Sequence, residues 1–119
     1  MHRPEQVIQI QLVNILKLSE PEVLAFHVAN GGWRATREAQ ILKAMGVRAG
    51  IPDLVVCWPV GRTGFIELKA HNGAMTNFQT MMNRRLRDMG FPVAVARSVE
   101  HALIILDEWG VPLKAKVEA

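Results

Sequence analysis

The segment AGIPDLVVCWPVGRTGFIELKA, Ala49 to Ala70, constrains the fold more than any other part of the chain. Two apolar runs flank a connection containing proline and glycine, the pattern of a β-hairpin whose strands lie in a core. The same runs carry Asp53, Glu67 and Lys69, and charge in a core is costly unless it is paired. Closing the hairpin about Gly61 sets Asp53 opposite Lys69 and diagonal to Glu67, within roughly 5 to 8 Å. Period-two alternation then puts Glu67 and Lys69 on one face and Ile66 and Leu68 on the other.

The rest of the sequence supplies an α/β domain around that hairpin. Helical spacing of Ile8, Leu12, Ile15 and Leu16 predicts a helix from Pro4 to about Leu18, with Glu5 at the tip of its buried stripe. VLAFHVA predicts a strand that ends in the turn NGG, after which Thr36 can cap a helix that stops at Gly46. Asp53 to Trp58 and FIELKA are the hairpin strands. Thr76 and Gln79 form a capping box for a helix to Met89, with Phe78, Met82, Leu86 and Met89 as its stripe and Arg85 projecting into it. FPVAVAR gives a last strand, and Ser98 opens a helix through about Trp109 with Ala102, Leu103, Leu106 and Trp109 inward. This order implies a central mixed sheet of about four strands flanked by helices.

A chain of 119 residues, half of them apolar, fits one domain over residues 1–112, with LKAKVEA after Pro112 as a frayed tail, residues 113–119. A single cysteine excludes an internal disulfide, and no Cys/His cluster has zinc spacing. The first residues lack the form of a signal peptide, and no apolar run reaches the roughly 20 residues of a membrane span, so a cytoplasmic protein is expected. The net charge of +3 permits a polyanionic partner without demanding one.

Two carboxylates as close as Asp53 and Glu67 repel each other unless a cation lies between them. Their hard oxygens suit Mg²⁺ or Mn²⁺ better than zinc. Lys69 beside them is placed to orient a water for attack on a phosphate. A plain salt bridge between Asp53 and Lys69, with Glu67 facing solvent, accounts for any one pair. The Pro-Asp step, the apolar strand and Glu-x-Lys taken together favour phosphodiester hydrolysis. Arg34, Arg37, Lys43 and Arg48 precede the Pro-Asp step, and His71 and Arg84 extend the same basic surface, where phosphate contacts would hold a nucleic acid without reading its sequence. Gln79 has two readings, as capping partner or as site residue. Trp33 fits base stacking or a subunit interface equally, and His27, His101 and Cys57 read as packing residues.

Pro52-Asp53 with Glu67-Leu68-Lys69 resembles the motif of the PD-(D/E)xK nuclease superfamily. Within it the chain is similar to the virus-type replication-repair nuclease (VRR-NUC) domain, in its stand-alone phage or bacterial form. The matching features are Glu5 in the first helix, the Asn30-Gly31 turn, Gly50-Ile51-Pro52-Asp53, Glu67-Leu68-Lys69, and Gln79 in the helix beyond. The resemblance implies a restriction-endonuclease-like core and a Mg²⁺- or Mn²⁺-dependent endonuclease that leaves a 5′-phosphate on DNA. It implies that Asp53, Glu67 and the Leu68 carbonyl ligate the metal, that Lys69 positions the nucleophilic water, and that Glu5 completes the acidic site, through water or a second metal. Asn30, Arg34, Arg37, Lys43, Arg48, His71 and Arg84 are the DNA-contact candidates. Stand-alone members resemble Holliday-junction resolvases acting as homodimers, so cleavage of a four-way junction is the sharper expectation. A restriction-type or RecB-like nuclease without junction preference, or a non-catalytic DNA-binding subunit, fits the same motif.

Overall fold

The apolar periodicities become four α-helices and four strands among the described residues, which in this computed structural model are 3–29 and 36–114. They run α1 (Pro4–Leu16), β1 (Leu24–His27), α2 (Thr36–Ala44), β2 (Leu54–Trp58), β3 (Arg62–Leu68), α3 (Asn77–Asp88), β4 (Val93–Ala96) and α4 (Val99–Glu108). Pro4 begins α1, where its missing N–H costs nothing, and the helix tightens into a 3-10 turn at Lys17–Ser19. The sheet order is β1-β2-β3-β4, antiparallel at the first two junctions and parallel between β3 and β4, with α3 as the crossover. The mixed α/β architecture expected from the sequence is the one observed.

Leu54, Val56, Ile66 and Leu68 of the central strands meet Leu12 and Leu16 of α1 and Leu103 and Leu106 of α4 in one apolar core. Each such buried aliphatic side chain contributes about 2 kcal/mol. Trp58 and Trp109 stack at 6.3 Å between ring centroids, over Gly64, where a side chain would collide with the Trp109 ring. The chain stays packed beyond Pro112. Leu113 is buried and the Lys114 N–H donates to Ser19 Oγ at 2.9 Å, so the expected tail begins at least two residues too early, because an apolar residue and a buried hydroxyl hold its first part down.

The hairpin closes in a different register from the one expected. β2 and β3 pair Leu54 with Ile66 and Trp58 with Arg62, which centres the turn on Val60 instead of Gly61. Val60 and Gly61 both take left-handed backbone, with φ of 69° and 65°, so the connection tightens to Pro59-Val60-Gly61. Continued one step, this ladder sets Asp53 level with Glu67, not with Lys69. The pairing slides by an even number of residues, so every side chain keeps its expected face.

The stripe expected on α3 is also rotated. Met82 is buried, but Phe78 and Met89 are 59% and 64% exposed and Arg85 is exposed. The inward arc is Gln79, Met82, Asn83 and Leu86, because this helix covers the sheet face that carries Glu67 and must offer it a polar partner.

Candidate active site

Asp53 stands in the bend that leads into β2, and its backbone is held firmly. Its carbonyl accepts from the Val28 N–H at 3.2 Å and lies 2.8 Å from His27 Nδ1, which donates when that nitrogen carries the proton. The Oδ2 of its carboxylate accepts from the Leu68 N–H at 2.8 Å, which ties it to the end of β3. Gly50, with φ of 81°, lets the approaching loop press onto the first turn of α3, where any Cβ would overlap the Phe78 carbonyl. Sequence order thus translates into geometry: a glycine for close approach, a proline, then the carboxylate.

Glu67 lies on β3 and is only 2% exposed. Gln79 Nε2 donates to its Oε1 at 3.3 Å, while Gln79 Oε1 accepts from the Thr76 N–H at 2.9 Å. The Gln79 N–H in turn donates to Thr76 Oγ1 at 3.1 Å. The two readings of Gln79 are therefore one arrangement, in which the capping box fixes the amide oxygen and thereby aims the amide nitrogen at Glu67.

Burial pushes the Glu67 carboxyl up to about 9, helped by a hydrogen bond shared with Asp53 and by the Asp53 charge, and opposed by Lys69. That shared bond needs a proton on one of the two carboxyls. Without it, Glu67 Oε2 is buried with no donor directed at it. Lys69 follows β3, half-buried, with its N–H donating to the Ala96 carbonyl at 3.0 Å.

A divalent cation fits this donor set. Two hard carboxylates lie together, one has a buried oxygen without a donor, and a proton is held there where a metal would serve as well. Mg²⁺ commonly takes one or two protein carboxylates and keeps its waters, which matches the pair present. Among the described residues no three His, Cys, Asp or Glu side chains gather as a metal-ligating group. Glu5, half-buried in the first turn of α1, does not form such a cluster with Asp53 and Glu67.

Arg37 and Lys43 lie exposed on α2, and Arg48, His71 and Arg84 are exposed as well. Asn30, Arg34 and Trp33 fall outside the described residues. His27 is exposed and set against the Asp53 carbonyl, a placement that its position in an apolar run did not signal. Asn83, 1% exposed with neither amide atom hydrogen-bonded, lies one turn beyond Gln79 on the same helix face. Arg97 Nη1 donates to the carbonyls of Ala70 and Gly73, both at 2.7 Å, and to that of His71 at 3.4 Å. In the sequence it is one more arginine at the end of a strand.

The profile of the VRR-NUC domain family matches residues 2–100, most of the chain and all of the site. The chain belongs to the VRR-NUC domain family. This VRR-NUC domain is thereby a nuclease domain of the PD-(D/E)xK type. Its fold is also that of a solved VRR-NUC domain protein, at TM-score 0.71 and 22% identity, over 92% of this chain and 89% of that one. A second solved VRR-NUC domain superposes at TM-score 0.64 and 21% identity, over 91% of this chain and 99% of that one. No curated protein matches. No helix among the described residues is long and apolar enough to cross a membrane.

Proposed function

We propose that this nuclease domain is a divalent-metal-dependent DNA endonuclease that cleaves four-way junctions as a homodimer. The observation that carries the metal-dependent chemistry is the pair of adjacent carboxyls, Asp53 and Glu67, with the donorless Oε2 of Glu67 buried between strand and helix. Asp53, Glu67 and the Leu68 carbonyl would hold Mg²⁺ or Mn²⁺, which supplies Lewis-acid stabilisation of charge developing on the phosphate.

The remaining work belongs to the protein's own groups. The Leu68 N–H fixes the Asp53 carboxylate, and Gln79 orients Glu67. Lys69 holds the attacking water and favours its deprotonated form through its positive charge. Glu5, which forms no ligand cluster with Asp53 and Glu67, would join the acidic site from α1 only through water or a second metal. The bond between phosphorus and the 3′-oxygen breaks, leaving a 5′-phosphate and a 3′-hydroxyl. Arg37, Lys43, Arg48, His71 and Arg84, together with Asn30 and Arg34, contact the DNA backbone and hold the substrate without reading sequence.

Support for a dimer comes from the apolar surface left open on two helices. Ile41 of α2 and Met45 just beyond it are 51% and 75% exposed, and Phe78 and Met81 of α3 are 59% and 51% exposed. The test is cleavage of a fixed four-way junction beside linear duplex and flap substrates, with Mg²⁺, Mn²⁺ or Ca²⁺, and the particle mass measured in the same buffer. Paired incisions by a dimer with Mg²⁺ or Mn²⁺ are expected. A strict monomer that cuts only flaps or single strands would refute the junction reading.

A further inference from the structure

Three backbone carbonyls in the turn that follows Lys69 converge on one guanidinium nitrogen. Arg97 Nη1 donates to Ala70 O and Gly73 O at 2.7 Å each and to His71 O at 3.4 Å. The turn closes on itself through Gly73 N–H to Ala70 O at 2.9 Å. It also folds back on the lysine, since a Cβ placed on Gly73 would lie 3.6 Å from Lys69 Cδ. Arg97 itself follows directly on Ala96, whose carbonyl accepts the Lys69 N–H at 3.0 Å. The backbone of Lys69 and the turn against its stem are thus both fixed by adjacent residues, Ala96 and Arg97.

We propose that Arg97 is a positioning residue, which sets the Lys69 ammonium by clamping the Ala70–Gly73 turn against the lysine stem. The proposal rests on the nuclease reading of the site. Donors on a cationic group are stronger than neutral ones, so a single guanidinium can order a turn whose carbonyls would otherwise be divided among waters. The turn and Arg97 lie largely at the surface, where those waters are at hand, so loss of the clamp disorders the turn without opening the core. A long, flexible lysine stem has many rotamers, and misplacement by about 1 Å in such a site costs on the order of tenfold to a hundredfold in rate. Nη1 is already engaged by the turn, which separates this arginine from one held free for a phosphate.

The test compares Arg97→Ala and Arg97→Lys with wild-type protein on whichever DNA substrate the wild type cuts with Mg²⁺. Thermal melting and amide hydrogen exchange of the turn are measured on the same samples. Arg97→Ala should lower kcat about tenfold, with KM within about twofold, an unchanged melting temperature and faster exchange at Gly73. Arg97→Lys should recover most of the loss, because an ammonium offers three donors to the same three carbonyls. Wild-type kcat in Arg97→Ala would overturn the proposal. So would a raised KM with intact kcat, which marks a DNA contact, or an Arg97→Lys variant no better than the alanine. Wild-type protein with no metal-dependent cleavage would overturn the nuclease reading and this proposal with it. Active wild-type protein with an unaffected Arg97→Ala overturns this proposal alone.

Discussion

Glu67 carries a conflict that a single substitution can measure. Its carboxyl is held near pKa 9 in the fold against an ordinary value of 4.5, so the folded state binds the proton more tightly than the unfolded chain does. The stability contributed by that proton is fully present below about pH 4.5 and is lost as the pH rises toward 9. Urea melts of metal-free protein should therefore show falling stability from pH 6 to pH 8, and Glu67→Gln should flatten the slope. Added Mg²⁺ should restore stability at pH 8 in the wild type and have little effect in Glu67→Gln, since ligand binding to the folded state alone stabilises it. A wild-type protein with no slope would show that Glu67 does not hold a proton through this pH range. Gln79 permits a sharper dissection. Gln79→Glu keeps an oxygen for the Thr76 N–H but sets an acceptor where Glu67 now meets a donor. Thr76→Ala instead removes the cap at a cost of about 1 kcal/mol while leaving the amide in place. Cleavage assays and melts on both variants should place the larger activity loss, about tenfold or more, in Gln79→Glu and the larger loss of helix stability in Thr76→Ala.

Elements bring these side chains together, and here the sequence was legible to different depths. The helix and strand order, the α1 stripe and the capping box follow from period and turn chemistry, which are local. The hairpin centre does not. Gly61 looks like the apex, but Val60 also accepts a left-handed conformation, and that moves Asp53 from beside Lys69 to beside Glu67. The α3 stripe failed for a different reason. Spacing marked the apolar residues, whereas the arc that packs was chosen by a buried glutamate on another element. Arg97 could not be read at all, because its partners are carbonyls, and every residue has one. The loop from Gly50 to Asp53 belongs to this scale as well, since it lies between β2 and the first turn of α3. Gly50→Ala should cost more than about 1 kcal/mol in denaturant melts, because it combines a left-handed backbone with a collision at Phe78 O. It should also lower cleavage by shifting the loop that delivers Asp53, and a fully active, stable variant would contradict that coupling. On α2, replacing Arg37 and Lys43 with alanine should flatten the dependence of log Kd on log salt by about two units if each meets a phosphate. Filter binding across a salt series reads this directly.

At the scale of the whole molecule, one sheet presents one site, and the four-way junction proposed as its substrate has two strands to cut. A two-fold dimer would carry a second copy of Asp53, Glu67 and Lys69 in the relation that symmetric incision needs. The exposed apolar residues lie on α2, which has no buried residue among those described, and on the face of α3 turned away from Met82 and Asn83, and the proposed dimer would cover them. Subunit mixing tests this without knowledge of the interface. Asp53→Asn removes a carboxylate while keeping the side-chain volume and an oxygen for the Leu68 N–H. Mixed in equal amounts with wild type and allowed to exchange, it would leave about a quarter of dimers with two competent sites and about half with one. Products from a junction with both cut strands labelled should then shift from paired incisions toward single nicks, with paired cutting falling as the square of the active fraction. A monomer that cuts each strand independently would instead lose paired and single cuts in simple proportion to its concentration. The curvature of that plot therefore separates an assembly with two coupled sites from one site acting twice.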